Sequence, residues 1–355
     1  MMTGQNNMNI GITQSDRAVG LWLFILCGFI ALMVLVGGLT RLTDSGLSIT
    51  EWKPIMGAIP PLNAQDWQIA FEKYKAIPEY VLVNQGFSMA EFKVIFWWEW
   101  GHRQLGRVIG LVFLLPFVWF ALRQQIPDGY MKPLLVLFFL GGLQAFMGWY
   151  MVRSGLGALT GADEQLVDVS QYRLASHLGL ALIIFCYSFW LALSLWRGRA
   201  QVPVSGRGVA FAGIILILVL VQSLMGALVA GLDAGKSYTD WPLMDGQFIP
   251  DGLFDLRPIA LNFFENYITV QFDHRMGAYL LLALVFIHWF LLRQAGSKNA
   301  HTALYLALGV SLQAVMGITA LMLAVPIFWG AAHQLGAVLV LCLGLTHLHN
   351  LRHAK

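Results

Sequence analysis

An all-α integral membrane protein is predicted, with eight transmembrane helices forming two four-helix bundles related as parallel repeats. Three observations carry that prediction. First, 58% of the 355 residues are hydrophobic and only 12% charged, about half the charged share of a soluble globule, and the mean hydropathy is +0.66. Second, eight apolar runs, at 20–40, 95–121, 132–152, 174–195, 208–231, 272–292, 303–325 and 328–348, approach or exceed the ~20 helical residues that cross a hydrocarbon core of ~30 Å. Third, the second half of the chain repeats the first.

The first span follows a polar start without a small-residue cleavage site, so it reads as a retained anchor. After it, Asp44-Ser-Gly-Leu-Ser-Ile-Thr-Glu-Trp52 aligns without a gap on Asp233-Ala-Gly-Lys-Ser-Tyr-Thr-Asp-Trp241 after the fifth span. The loop that follows is longer in the first half: Trp52 and His102 stand 50 positions apart, Trp241 and His274 only 33. Within it, apolar residues at 67, 70, 71, 74 and 77 predict a short amphipathic helix at the outer surface. The second and sixth spans open on His102-Arg103 and His274-Arg275. The third and seventh share Leu143-Gln-Ala-Phe-Met-Gly148 and Leu312-Gln-Ala-Val-Met-Gly317, and the fourth and eighth share His177 and His333. The connection between the third and fourth spans, through 155–161, is also longer than its counterpart. Four spans per half is an even number, so the repeats are parallel. The implied organisation is a cytoplasmic segment 1–19, bundles over 20–200 and 201–349, and a cytoplasmic tail 350–355.

Charge sets the expected orientation. The start, the segments between spans 2 and 3, 4 and 5, and 6 and 7, and the tail carry Arg17, Arg123, Lys132, Arg197, Arg199, Arg207, Arg293, Lys298, Arg352 and Lys355 against Asp16 and Asp128. The positive-inside rule then places both termini in the cytoplasm and the four histidines at the outer face. The basic residues follow the membrane rather than forming a patch, which excludes nucleic-acid binding. No phosphate cradle or Ser/His/Asp arrangement stands out. Cys27, Cys186 and Cys342 lie inside apolar runs, so no disulfide is expected.

His102, His177, His274 and His333 are the candidate ligands. Neutral imidazole is a common axial ligand of haem iron, and two parallel helices with histidines at one depth can supply one each. Four ionisable groups at repeat-related positions in a membrane are costly and point to function. Gly106, Gly179, Gly277 and Gly336, close to the histidines, are expected to admit a flat macrocycle. Arg103, Arg107 and Arg275 could fork onto propionates or snorkel to headgroups. Arg41 ends the first span where Ala230 ends the fifth. Glu99, three residues before His102, corresponds to Gln271 in the second half. A carboxylate in one half only predicts chemistry in the first half and a fixed cofactor in the second; it could stabilise developing positive charge or accept a proton.

The stretches Gly37-Gly-Leu-Thr-Arg-Leu-Thr-Asp-Ser-Gly-Leu-Ser-Ile-Thr-Glu-Trp52, Phe71-Glu-Lys-Tyr-Lys-Ala-Ile-Pro-Glu-Tyr80, Glu99-Trp-Gly-His-Arg103, Trp241-Pro-Leu-Met-Asp-Gly246 and Gln271-Phe-Asp-His-Arg275 resemble the haem A synthase family in its proteobacterial and mitochondrial form, over about residues 20–345. The resemblance implies oxidation of the C8 methyl of haem O to a formyl group, giving haem A for cytochrome c oxidase in the cell inner membrane. It implies haem b on His274 and His333 with Arg275 beside it. The substrate haem would sit between His102 and His177, with Arg41 and Arg103 contributing and Glu99 essential. An electron acceptor of unspecified identity, haem O synthase, oxidase assembly factors and a homo-oligomer are the partners such a role brings. Some bacterial members carry cysteine pairs in the outer loops; this chain has none, which argues against a redox-active disulfide step.

Two other classes compete. His288 and His347 each lie 14 residues after a ligand histidine, ~21 Å along a helix, as in a transmembrane dihaem b-type electron carrier. The first half offers Pro116 and Leu191 there instead. A transporter built on parallel repeats would explain the duplication but not the histidines. The tail, His347 to His353, could bind metal, although a solvated end explains it as well.

Overall fold

In a computed structural model of the chain, residues 13–156, 168–198 and 206–353 are described. Among them the regular structure is helical, apart from one isolated bridge between Met244 and Gln247. The helices are α1 (Gln14–Leu42), α2 (Ala64–Lys75), α3 (Pro78–Leu82), α4 (Met89–Leu122), α5 (Met131–Val152), α6 (Gln171–Arg197), α7 (Arg207–Gly231), α8 (Asn262–Glu265), α9 (Tyr267–Gln294), α10 (Ala300–Met322) and α11 (Ile327–Arg352). Eight of them, α1, α4, α5, α6, α7, α9, α10 and α11, are long and apolar enough to span a bilayer. Arg199, Lys355, residues 157–161 of the first-half connection and the division at 200/201 lie outside the described residues.

Local chemistry fixes the helix ends. Thr13 and Asp16 form a capping box at the start of α1, and Ser88 and Glu91 form another at α4. The α4 box starts that helix at Met89, six residues before the apolar run. Its 34 residues extend to about 51 Å, well beyond the hydrocarbon core. Asn266 caps α9 through the amides of Ile268 and Thr269. The seventh span stops at Met322 rather than 325, because Ala324 and Val325 take left-handed backbone before Pro326, which opens α11.

The α4 extension changes the reading of the outer loop. Trp67, Phe71 and Tyr74 of α2 do form an apolar face, but it is buried against Phe92 and Phe96 of α4 rather than against headgroups. The Phe71 and Phe92 rings stack at 4.9 Å and Trp67 meets Phe96 edge-on at 4.8 Å. The first half thus carries an aromatic cap whose core is protein.

Within the bilayer, α1 packs on α4, α6 and α11, α6 on α5 and α7, and α7 on α9 and α11, with α10 against α9 and α11. Trp22, Leu23, Leu26 and Ile30 of α1 share one core with Phe185, Ile215 and Leu341 of α6, α7 and α11. Trp22 Nε1 also donates to the Val112 carbonyl of α4 at 2.8 Å. The central helices are therefore buried by protein, whereas α4 and α5 turn most of their apolar residues outward, as lipid-facing helices do. All three cysteines are free.

Candidate haem-ligand sites

Each of the four histidines packs its ring on a glycine of the preceding span. A Cβ on Gly37 would stand 3.2 Å from His102, on Gly148 3.0 Å from His177, on Gly226 3.1 Å from His274 and on Gly317 2.7 Å from His333. These glycines let each imidazole lie against backbone, a close approach that a larger residue forbids.

Three of the rings are also held by a glutamine one helical turn before that glycine. The Gln144 amide nitrogen lies 3.2 Å from His177 Nδ1 and 3.1 Å from the His177 carbonyl oxygen. Gln222 stands at 3.0 and 2.7 Å from the same atoms of His274, and Gln313 at 3.1 and 2.7 Å from those of His333. Sequence reasoning missed these residues.

The glycines singled out from the sequence do something else. Gly277 and Gly336 give room to Gln222 Oε1 and Gln313 Oε1, Gly179 receives Leu224, and Gly106 faces Met33. Each is thus met by a side chain from a neighbouring span, and at Gly277 and Gly336 that side chain is the glutamine that holds the histidine.

His274 and His333 face one another with ring centres 6.4 Å apart and planes at 86°. Two metal–nitrogen bonds of about 2 Å plus the half-widths of two imidazoles account for that separation, so one iron fits between them. Gln313 and Gln144 each keep a buried Oε1 without a partner. In each clamp one amide nitrogen bridges the ring and the backbone carbonyl of the same histidine, which fixes the orientation of the imidazole. The donor set and its surroundings therefore fit a bis-imidazole haem. His102 and His177 are not in ring contact.

His288 and His347 are placed differently. Their Nε2 atoms are 2.9 Å apart and directly hydrogen-bonded, and His347 Nδ1 meets Thr302 Oγ1 at 2.7 Å. Iron between two imidazoles needs about 4 Å from nitrogen to nitrogen, so this pair is closed to a second haem and the dihaem arrangement loses its ligands.

Glu99 is buried and fully engaged. Oε2 accepts from Ser48 Oγ and from the Ile49 amide, both at 2.7 Å, and Oε1 accepts from Arg103 at 2.5 Å. Gln271 takes the equivalent place, donating to the Ala234 and Tyr238 carbonyls at 2.8 and 3.0 Å. The arginines also follow the repeat: Arg103 donates to Ile49 and Glu51 carbonyls, and Arg275 to those of Tyr238, Asp240 and Leu243. Arg107 holds the Lys53 and Pro54 carbonyls. The guanidinium groups thus pin the outer loops over the helix ends, each using the donor fork. Arg41 reaches across the halves instead, to Asp44 at 2.7 Å and Asp233 at 2.8 Å.

Comparison with known proteins agrees with this arrangement. The family described as cytochrome oxidase assembly protein, COX15-CtaA, matches residues 20–345. Proteins named heme A synthase are similar over nearly the whole chain. One from Parvibaculum lavamentivorans is 49% identical over 337 residues, covering 95% of each chain. One from Azorhizobium caulinodans is 50% identical over 337 residues, covering 94% of each, and one from Nitrosomonas eutropha is 48% identical over 334, covering 92% of each. Four histidines at repeat-related positions, each seated on a glycine, thus occur in a chain that belongs to the COX15-CtaA family of haem A synthases.

Proposed function

We propose that this protein is a haem A synthase, an oxidoreductase that converts the C8 methyl of haem O into a formyl group to give haem A for cytochrome c oxidase. The observation that carries the reading is the facing pair His274 and His333 at 6.4 Å, each ring seated on a glycine and gripped by a glutamine. In this reading the two halves, 20–200 and 201–349, are parallel four-helix bundles. The second holds haem b on His274 and His333, with Arg275 ordering the loop above. Held by those two imidazoles, a haem would supply one-electron transfer.

The first half takes the substrate haem between His102 and His177. Glu99 stands one turn from His102, is buried, and has a neutral counterpart in the other half. It is the catalytic group proposed here, a carboxylate at the reacting edge of the substrate. Its bonds to Ser48, Ile49 and Arg103 hold it in place and close the outer loop over the site. Arg41 and Arg103 flank the substrate side. The charge pattern supports an inner-membrane protein with both termini cytoplasmic and the histidines at the outer face. An electron acceptor, haem O synthase and oxidase assembly factors are partners of the proposed role, and a homo-oligomer is its proposed assembly.

Mass analysis of haems from cells that make haem O, with and without this chain, tests the proposal. Haem A is expected only with the chain, and at a strongly reduced level with Glu99→Gln. Haem O alone in both cells would end the reading.

A further inference from the structure

One histidine of the four lacks the clamp. The spans before His177, His274 and His333 read Gln144-Ala-Phe-Met-Gly148, Gln222-Ser-Leu-Met-Gly226 and Gln313-Ala-Val-Met-Gly317. In the same register α1 reads Met33-Val-Leu-Val-Gly37. Gly37 also backs His102, but through Nε2 and Cδ2 where the other three glycines meet Cε1, and Met33 Cε lies 3.5 Å from where a Cβ of Gly106 would be. Gly277 and Gly336 each meet both the glutamine and the methionine of the preceding span, Gln222 with Met225 and Gln313 with Met316. By sequence register Met33 stands where those spans have the glutamine. A thioether has no proton to give, and among the described residues His102 makes no hydrogen bond through its side chain.

We infer that Met33 makes His102 the releasable ligand of the first-half haem, so that the pair His102 and His177 exchanges haem while the pair His274 and His333 retains it. The inference rests on the functional reading above, in which the first half binds substrate. A substrate haem must enter and its product must leave in every cycle, whereas a cofactor must stay. A glutamine that bridges a ring and its own backbone carbonyl holds the imidazole in one orientation, and loss of an orienting second-layer partner weakens metal binding by roughly 10–100-fold, which is enough to separate the two behaviours. The geometry agrees on a second count: the clamped pair already faces at the spacing of a shared iron, and the half-clamped pair is not in ring contact.

The test is haem transfer from the full-length protein, purified with its haems bound, to an excess of apomyoglobin. Two phases are expected, the fast one from the first half. Met33→Gln should slow the fast phase roughly 10-fold and leave the slow one alone. Met33→Leu, which adds no donor, should stay within about twofold of the parent. Gln222→Met should speed the slow phase, and it keeps the question open to measurement if Met33→Gln does not fold. An unchanged fast phase in folded Met33→Gln protein, or equal slowing by Met33→Leu, overturns the inference while leaving the enzyme assignment intact. Parent protein with no fast phase and no first-half haem would instead overturn the substrate-site reading, and this inference with it.

Discussion

Arg41 forks between Asp44 and Asp233, two aspartates that hold the same place in the two repeats and share left-handed backbone. Burial alone would raise the Asp233 carboxyl, but Arg41 and Lys236 outweigh it and hold the group below its usual range. The contribution is therefore present above the unfolded value and lost as pH falls through the folded one. Both carboxylates are partly in solvent, so the bridge is worth little more than an exposed pair. Arg41→Ala is expected to cost about 1–2 kcal/mol, with Arg41→Lys intermediate because an ammonium cannot fork. Thermal melting in detergent at pH 7 measures it; equal melting of all three proteins contradicts the bridge.

The glycine seats lead to a second expectation. An added methyl at Gly317 would press on His333 at 2.7 Å, within a packed helix pair. Gly317→Ala should displace the ring and reduce the low-spin haem signal of the second half. Gly141→Ala, which meets nothing within 4 Å, should leave the spectrum unchanged. Visible absorption of the two purified variants decides the matter, and identical spectra would sink the seat.

The His288–His347 pair is expected to matter for stability alone. His288→Ala removes one partner from a buried hydrogen bond and exposes His347 Nε2 to a dry site, at a cost of about 1–3 kcal/mol. Haem content per protein should not change. A variant that loses haem in proportion would restore the dihaem carrier.

Glu79, in the outer cap, gives a pH dependence of unusual sign. Burial raises its carboxyl to about 8, against the lowering effect of the Tyr74 hydroxyl at 2.9 Å. A folded value above the unfolded one means that folding keeps a proton the open loop would release. The stability of α2 and α3 should therefore fall between roughly pH 4.5 and pH 8, by at most about 1.4 kcal/mol per pH unit. Protection factors of the α2 amides, with the intrinsic pH dependence of exchange divided out, should fall across that range in the parent and much less in Glu79→Gln. A pH-independent opening in the parent contradicts the buried carboxyl.

Much of this was legible in the residues. Length and apolarity place eight spans, because a bilayer accepts few alternatives to a continuous helix. Repetition picks out four histidines without any contact being known. The helix ends were less visible: the Ser88 and Glu91 box extends α4 past its apolar run, and a hydropathy window does not register caps. The second-layer glutamines were missed although their signal was present. The Gln-x-x-Met-Gly pattern at 144 and 313 also stands at 222. Once extended to the fifth span it tracks the histidine that follows each time. The neighbours of Gly277 and Gly336 were hidden for the same reason, since glycine proximity in sequence does not say which side chain lies against it. Glu99 was placed on the correct turn, but its engagement with Ser48 and Ile49 depends on a loop whose path no periodicity encodes.

Gln334, next to His333, donates to the Val34 carbonyl of α1 at 2.9 Å and lies against Gly38, whose neighbour Gly37 carries His102. Two successive residues of a single rod thus serve opposite ends of the duplication. The seat of His102 on α1 is therefore braced by α11, through the residue that follows a ligand histidine of the later spans, so a change at Gln334 is felt at both ends of the chain.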